Sequence, residues 1–592
     1  VHGDGWDVIV VGAGLGGLTA ALRLVREGLR VVVVDAASHP GGTAYVFRRG
    51  DFLFPMGALG CANPELVRAT ITRAGMKRPP VFHRVHYRLR AFGLDLPISR
   101  PFRDTADALA RHFPEEAAAI KRFFLDMEYI AKSLLSPTPY HHPYQSASGT
   151  PRGGHWAYAP PTQVPPGGER LGYSLEPPGR PEYGGRIPPL PGTSAAFYLK
   201  GMVKDPRLRR ILGSMGTREP FANLAILAAM WSLLCQSGIH YPQGGFYGLS
   251  DALAAELAPG AGTTRPRGGD RAGRSGYPPG ECGGSGIREP GPRSVTALGS
   301  VTGRLPPILL GRRVSRIKAE RGRVRGVTLQ DGTSLTAEAV VSNADFKNTF
   351  LRLVDPEALP EPFLRRLRSA PLTSSNLQVC LGLEAAKADL SSFLEGTRII
   401  YRREDAPDVD GEQERAPEWD PARAAQDELE LCLLSADDPS LAPPGKAVLV
   451  IRTAVPYEAF QRLRGPGGGR DPGYMEYKKK IGRALVREAA VLIPGLEDSV
   501  EVMDVATPLT FEERGGRFRG AVAGWSWDYG ENLDRPVELV RTPVSGLFMA
   551  GHQAFSMLAL GGIPSAVLSG LRAAEYVLQG EGPVEDMELP GS

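Results

Sequence analysis

This chain of 592 residues is poor in cysteine, and the poverty is informative. Its five cysteines (Cys61, Cys235, Cys282, Cys380 and Cys432) lie far apart, with no Cys-x-x-Cys pair. That fits a reducing compartment and excludes both a zinc site of ordinary spacing and a redox centre built on two neighbouring thiols. Ten histidines show no metal-ligand spacing either. His141-His142 stands in Pro- and Tyr-rich text that reads as a solvated loop, so no metal is expected. Apolar runs are short. None approaches the ~20 residues of a membrane span, and the longest, 221–235, reads as a buried or surface-dipping helix. The formal net charge of +4 is small for this length, which argues against a nucleic-acid partner. A cytoplasmic location is expected, with no signal or transmembrane segment visible. The opening on Val1 rather than Met leaves room for a preceding targeting segment.

What the chain does have comes first in its opening stretch. The apolar run 7–11 has the length and β-branching of a buried parallel strand. Gly12-Ala13-Gly14-Leu15-Gly16-Gly17 follows at once. An amphipathic segment with Leu15, Leu18, Leu22 and Val25 on one face runs to Gly28, and a second strand, 30–34, delivers Asp35. These are the parts of a βαβ dinucleotide site. Gly12 permits the tight turn, Gly14 lets the backbone approach a pyrophosphate, and Gly17 lets helix and strand pack closely. The helix start offers free N–H groups and partial positive charge, and Asp35 can accept from ribose hydroxyls. A glycine turn that binds nothing would not need the helix and the acidic residue as well.

A second glycine pair, Gly41-Gly42-Thr43-Ala44, follows Asp35 with only Ala36–Pro40 between, and 52–58 reads as a strand ending at Gly57-Ala58. In this order the motifs resemble the FAD-dependent phytoene desaturase superfamily, which includes carotenoid isomerases and retinol saturases on a flavin amine oxidase-type fold. Thr43 stands where related amine oxidases carry Arg, and Pro55 replaces the usual Asp, so phosphate contacts there are expected from backbone N–H groups. Further along, 241–246 resembles the family's return to the flavin domain. Strands at 308–317, 324–329 and 334–342, with a turn at Asp331-Gly332, then lead into Ser342-Asn343-Ala344. The resemblance places Val314 at the adenine side and implies that Asn343 and Ala344, where the chain returns to the dinucleotide sheet, bind the cofactor. Near the C-terminus a short strand ends at Gly551, and Gly562-Ile563-Pro564-Ser565 opens a helix, with Pro564 suited to its first turn. This resembles the superfamily's closing FAD motif. Together these motifs favour FAD over NAD.

The expected fold is α/β: a discontinuous Rossmann-like FAD-binding domain (1–80, 241–350, 501–592) interleaved with an α+β substrate-binding domain (81–240, 351–500). Two Gly- and Pro-rich stretches, 136–191 and 258–305, read as irregular inserts, and the acidic stretch 404–430 as an exposed excursion. Helices are expected at 106–110, 115–134, 197–215 and 221–235. Strands are expected at 376–383 and 447–455.

The substrate pieces show no charged cluster that would read a polar molecule. The resemblance therefore implies an oxidoreductase, or isomerase, acting on a hydrophobic isoprenoid or polyene reached by peripheral membrane contact. It names no electron acceptor. His552, directly after the Gly551 strand end, is the candidate acid or base, with packing as its bland alternative. Arg218-Glu219 is a weaker candidate. Trp525 and Trp527 are candidate pocket walls, and Thr507-Pro508 and Arg535-Pro536 match family pairs. An amine oxidase-like flavoenzyme and a non-catalytic flavoprotein binding a lipid or protein partner stay open beside this reading.

Overall fold

A computed structural model describes residues 5–135, 193–213, 223–257, 308–402, 428–465, 469–526, 537–556, 560–584, 587 and 589–590. Both expected inserts, 404–427 of the acidic stretch, His141-His142, Arg218-Glu219, Cys282, Trp527 and Arg535-Pro536 lie outside these residues.

The opening strand, Trp6–Val11, is buried from Val8 onward. It pairs in parallel with Val31–Val34 on one side and with the second half of Ser334–Ser342 on the other. Leu547–Met549 adds to the far side of Ser334–Ser342, also parallel. The first half of that long strand turns away to pair antiparallel with Arg323–Leu329, which pairs in turn with Val314–Glu320. One strand thus belongs to a buried parallel sheet and to a half-exposed meander. The segment expected as one strand at 308–317 is broken. Ile308–Leu309 closes the parallel sheet beside Val31–Val34, and the chain crosses over before Val314.

The first helix, Leu15–Arg26, and the last long one, Gly562–Gln579, lie against each other. Glycine makes the approach possible: a Cβ on Gly570 would collide with the Gly16 carbonyl, and one on Gly17 with the Gly12 carbonyl. Ser569 locks the contact, its hydroxyl bonding the backbone of Gly551 at 2.9 and 3.0 Å.

A second seven-stranded sheet runs in the order Val500–Ala506, Ser375–Glu384, Lys446–Val455, Leu429–Leu433, Arg398–Arg402, Tyr87–Ala91, Leu94–Pro97. Its two faces differ. Leu377, Val379, Leu381, Leu431, Leu449 and Ile451 form an apolar core with Ile481 and Leu485 of the Tyr474–Ala490 helix. The alternate positions present Gln378, Cys380, Glu430, Cys432 and Arg452. The 404–430 expectation fails at its end. Glu430 is buried inside the Leu429–Leu433 strand, and Glu428 pairs with Arg402. Strand alternation, not local charge density, decides where those carboxylates go.

The apolar run at 221–235 is a core helix rather than a surface one: Leu224–Ser232 buries Trp231 completely and ends in a π-turn, Leu233–Ser237. The expected helix 197–215 is two, Ala195–Met202 and Pro206–Gly213, because Pro206 starts a new one. Among the described residues no helix is long and apolar enough to cross a membrane.

The helix contact yields a prediction. Gly570→Val should destabilise the fold by about 1–3 kcal/mol, the usual cost of overpacking a close interface, read as a lowered melting temperature. An unchanged melting temperature would show that the two helices can separate freely.

Candidate functional site

The two glycine loops are folded onto each other. Asp35 accepts from the amides of Ala13 (2.6 Å) and Ala37 (2.7 Å), one on each carboxylate oxygen. Gly41 donates to the Ala13 carbonyl at 2.8 Å. Gly41 and Gly42 both take positive φ, 112° and 55°, which lets the second loop lie along the first. Asp35 therefore shapes the loop before it meets any ligand, with a lone pair left on each oxygen for a ribose.

Asn343 lies across the first loop. A Cβ on Gly14 would come within 2.6 Å of its amide nitrogen, and one on Gly16 within 2.5 Å of its Oδ1. That Oδ1 is buried without a hydrogen-bond partner. Both helices that begin here, at Leu15 and at Gly562, have no side-chain cap and no acidic residue in the first turn. Their free N–H groups and partial positive charge are left for an anion.

All these features border one cavity of about 1260 Å³, larger than the roughly 300–1,000 Å³ of pockets for drug-sized molecules. Of the residues picked from sequence, Gly12, Gly14, Leu15, Gly16, Asp35, Ala36, Gly41, Gly42, Thr43, Ala44, Gly57, Ala58, Val314, Asn343, Ala344, Gly551, His552, Gly562 and Ile563 line it. Gly17, Pro564 and Ser565 stand behind the lining. Gly17 packs helix on strand, and Pro564 and Ser565 are buried in the first turn of the closing helix. Trp525 is not a pocket wall. It is buried among Phe346 and its neighbours, its indole N–H donating to the Gln553 carbonyl at 2.7 Å. Thr507 caps the Pro508–Glu513 helix.

His552 lines the cavity, but its Nε2 has no partner and a Cβ on Gly524 would sit 3.1 Å from it. Burial, aided by the nearby Arg517 charge, pushes its pKa down to about 3. At neutral pH the ring is neutral, so it cannot act there as an imidazolium acid. Burial likewise pushes Arg517 down to about 10, against the attraction of Asp345. Asp345 is itself raised by desolvation, opposed by N–H groups around it.

Sequence reasoning missed two polar walls. One is an arch formed by Arg464, Glu512 and Glu513, in which Tyr457 donates to Glu512 at 2.7 Å and Arg470 pairs with Glu513 at 2.6 Å. The other is Tyr87, Glu430 and Arg452 from the second sheet, so the substrate pieces do carry a charged cluster after all. Its signal was present: single charged residues in Leu-Glu-Leu-Cys-Leu (429–433) and in the apolar strand containing Arg452. Among the described residues no group of His, Cys, Asp or Glu is set to hold a metal ion.

The His552 environment predicts a pH effect. Its folded pKa lies below the ordinary 6.5, so between those values the unfolded chain holds the extra proton. Stability must then fall as pH drops through that window. In His552→Gln, urea midpoints at pH 7 and pH 5 should differ less than in the parent. An equal difference would show that the ring protonates without unfolding.

Known proteins resemble this chain in sequence and in fold. A family model described as an NAD(P)-binding Rossmann-like domain matches residues 10–68. A prolycopene isomerase of an Oncidium hybrid cultivar is 24% identical over 99% of this chain and 86% of its own length. A zeta-carotene-forming phytoene desaturase of Myxococcus xanthus is 25% identical over 84% and 80%. An inactive all-trans-retinol 13,14-reductase of Danio rerio is 23% identical over 97% and 86%. Among solved structures, the cyclohexylamine oxidase of Brevibacterium oxydans superposes with a TM-score of 0.54 at 16% identity, covering 97% of this chain and 99% of that one. The chain thus has the fold of such oxidases, and along nearly its whole length its sequence resembles the phytoene desaturase and carotenoid isomerase superfamily of oxidoreductases.

Proposed function

We propose that this protein is an FAD-dependent oxidoreductase acting on the carbon–carbon bonds of a hydrophobic isoprenoid or polyene, by desaturation, saturation or flavin-assisted isomerisation. The observation that carries it is one large cavity into which two uncapped helix starts, two crossed glycine loops and the polar face of a second sheet all open. The curated relatives, aligned over most of their length, supply the substrate class. An amine-oxidase reading draws on the fold alone.

In this reading 1–80, 241–350 and 501–592 hold the cofactor, and 81–240 and 351–500 enclose the substrate. The crossed loops, the buried Asn343 Oδ1 and the uncapped helix starts fit a dinucleotide. Gly14, Gly16 and Thr43 would hold the pyrophosphate by backbone N–H groups, Gly12 and Ala44, whose own N–H groups are taken by the Val34 and Gly41 carbonyls, would shape the two turns around it, and Asp35 and Ala36 with Val314 would hold the adenosine. Gly57, Ala58, Gly551, His552, Gly562 and Ile563 would border the flavin ring. Bound there, FAD would supply two-electron redox chemistry to a carbon–carbon bond held against it. The chain positions that bond, excludes water with the apolar parts of the wall, and directs the Gly562 helix start at developing negative charge. His552 contributes a neutral imidazole. Peripheral membrane contact follows from the solubility of such a substrate.

Two measurements test this. Anaerobic mixing of flavin-loaded protein with candidate polyenes should bleach the visible flavin band for a redox substrate, whereas an isomerisation should proceed only with pre-reduced flavin. Failure of every polyene in both states would overturn the substrate class. Gly14→Val, whose Cβ would drive the Asn343 side chain from its place across the first loop, should retain no FAD while keeping a cooperative melting transition, and normal flavin content would overturn the loop assignment.

A further inference from the structure

The second sheet turns an unusual row of residues toward the cavity. Backbone register sets Gln378, Arg452 and Glu430 side by side on three adjacent strands, with Arg398 and Tyr87 paired in the next row. Most of this row is committed. Gln378 donates to the Pro55 carbonyl at 3.0 Å and Arg398 to the Leu59 carbonyl at 3.2 Å, which pins the sheet to the turn before Gly60. Glu430 has both oxygens engaged, one by the Tyr87 hydroxyl at 2.8 Å and the other by Arg452.

Arg452 differs from its neighbours. A guanidinium carries five N–H donors, and its bond to Glu430 uses one nitrogen. Its strand is central and flanked by the fully buried Val450 and Ile451, yet its side chain keeps 28% of its exposure. Arg452 lines the cavity, as do Met56–Gly60 of the turn to which the sheet is bonded. An ion pair with only a structural task could be replaced by apolar packing at little cost or with a gain. Here a cation is held rigidly by Glu430, with donors left over, on the wall the substrate must face.

We propose that Arg452 anchors a carboxylate or carbonyl oxygen on the substrate, so that the molecule this site takes is an oxygenated polyene rather than a pure hydrocarbon. The inference rests on the polyene reading above and narrows it. Glu430 fixes the guanidinium, Tyr87 fixes Glu430, and the charge-assisted bond to the ligand sets which end of the chain enters first.

The test uses the full chain loaded with FAD in detergent and two polyenes of equal length, one ending in a carboxylic acid and one a hydrocarbon. Binding is read by quenching of protein fluorescence. The parent should bind the acid at least tenfold more tightly. Arg452→Met should lose that preference while binding the hydrocarbon unchanged. Because this leaves Glu430 unpaired, Arg452→Met with Glu430→Gln is the second variant, expected to behave the same with a parent-like melting temperature. Arg452→Lys should restore part of the preference. A parent without preference, or a preference that survives in either Met variant, overturns the anchor and leaves the polyene reading standing. If the parent binds neither polyene, the polyene reading itself fails and takes the anchor with it.

Discussion

The structure depends on one constraint, the close approach of backbone to backbone where the two ends of the chain meet. Gly16 and Gly570 bring the first and last long helices into contact, Gly12 and Gly17 bring the first helix onto the first strand, and Ser569 ties the last helix to Gly551. Side chains at these positions would push the elements apart. With the elements together, the starts of both helices open on one space, and their uncapped N–H groups converge without any charged side chain being spent on them. Asn343, arriving from the middle of the chain, completes that wall. The site is therefore assembled from three distant pieces, each a local motif that packing brings to the others.

The opposite wall follows from strand alternation. One face of the second sheet must be apolar to bury the Tyr474–Ala490 helix, and the period of two then turns the intervening residues to the other face, from which Tyr87, Glu430 and Arg452 line the cavity. That this side carries Gln378, Glu430, Arg452 and two cysteines rather than leucines is a departure from a simple core. Burial pushes the thiols of Cys380 and Cys432 far toward the protonated form, so they act as small packing groups. The carboxylate of Glu430 moves the other way. Desolvation alone would raise it, and the Arg452 charge, with the Tyr87 hydroxyl, holds it below its ordinary range. The result is an ion pair on a face it shares with Gln378, Cys380 and Cys432.

Much of this was legible in the sequence. The opening βαβ unit, the glycine pair at Gly41-Gly42, the Asn343 return and the Gly562 helix start are local patterns, and each carries its own chemistry in its spacing. Nearly all of their residues meet at one cavity. What could not be read was set by long-range register. Glu430 belongs to a charge-rich stretch by sequence and to a buried strand by pairing. Arg452 faces a cavity only because Ser375–Glu384 and Leu429–Leu433 flank its strand. The break after Leu309 depends on the edge of the parallel sheet being free to accept two residues. His552 was legible as a site member, while its neutrality comes from burial and from Arg517, thirty-five positions away in sequence.

In the proposed function these three pieces of chain form a site for FAD and not merely for a nicotinamide dinucleotide. Equilibrium binding of FAD and of NAD to the purified full chain tests it most directly, followed by gel filtration and a visible absorption spectrum of the protein peak. Flavin is expected to stay with the protein in stoichiometric amount and to show a structured, protein-bound spectrum, while NAD is lost. A colourless peak after incubation with FAD, or NAD retained as firmly as FAD, would contradict it.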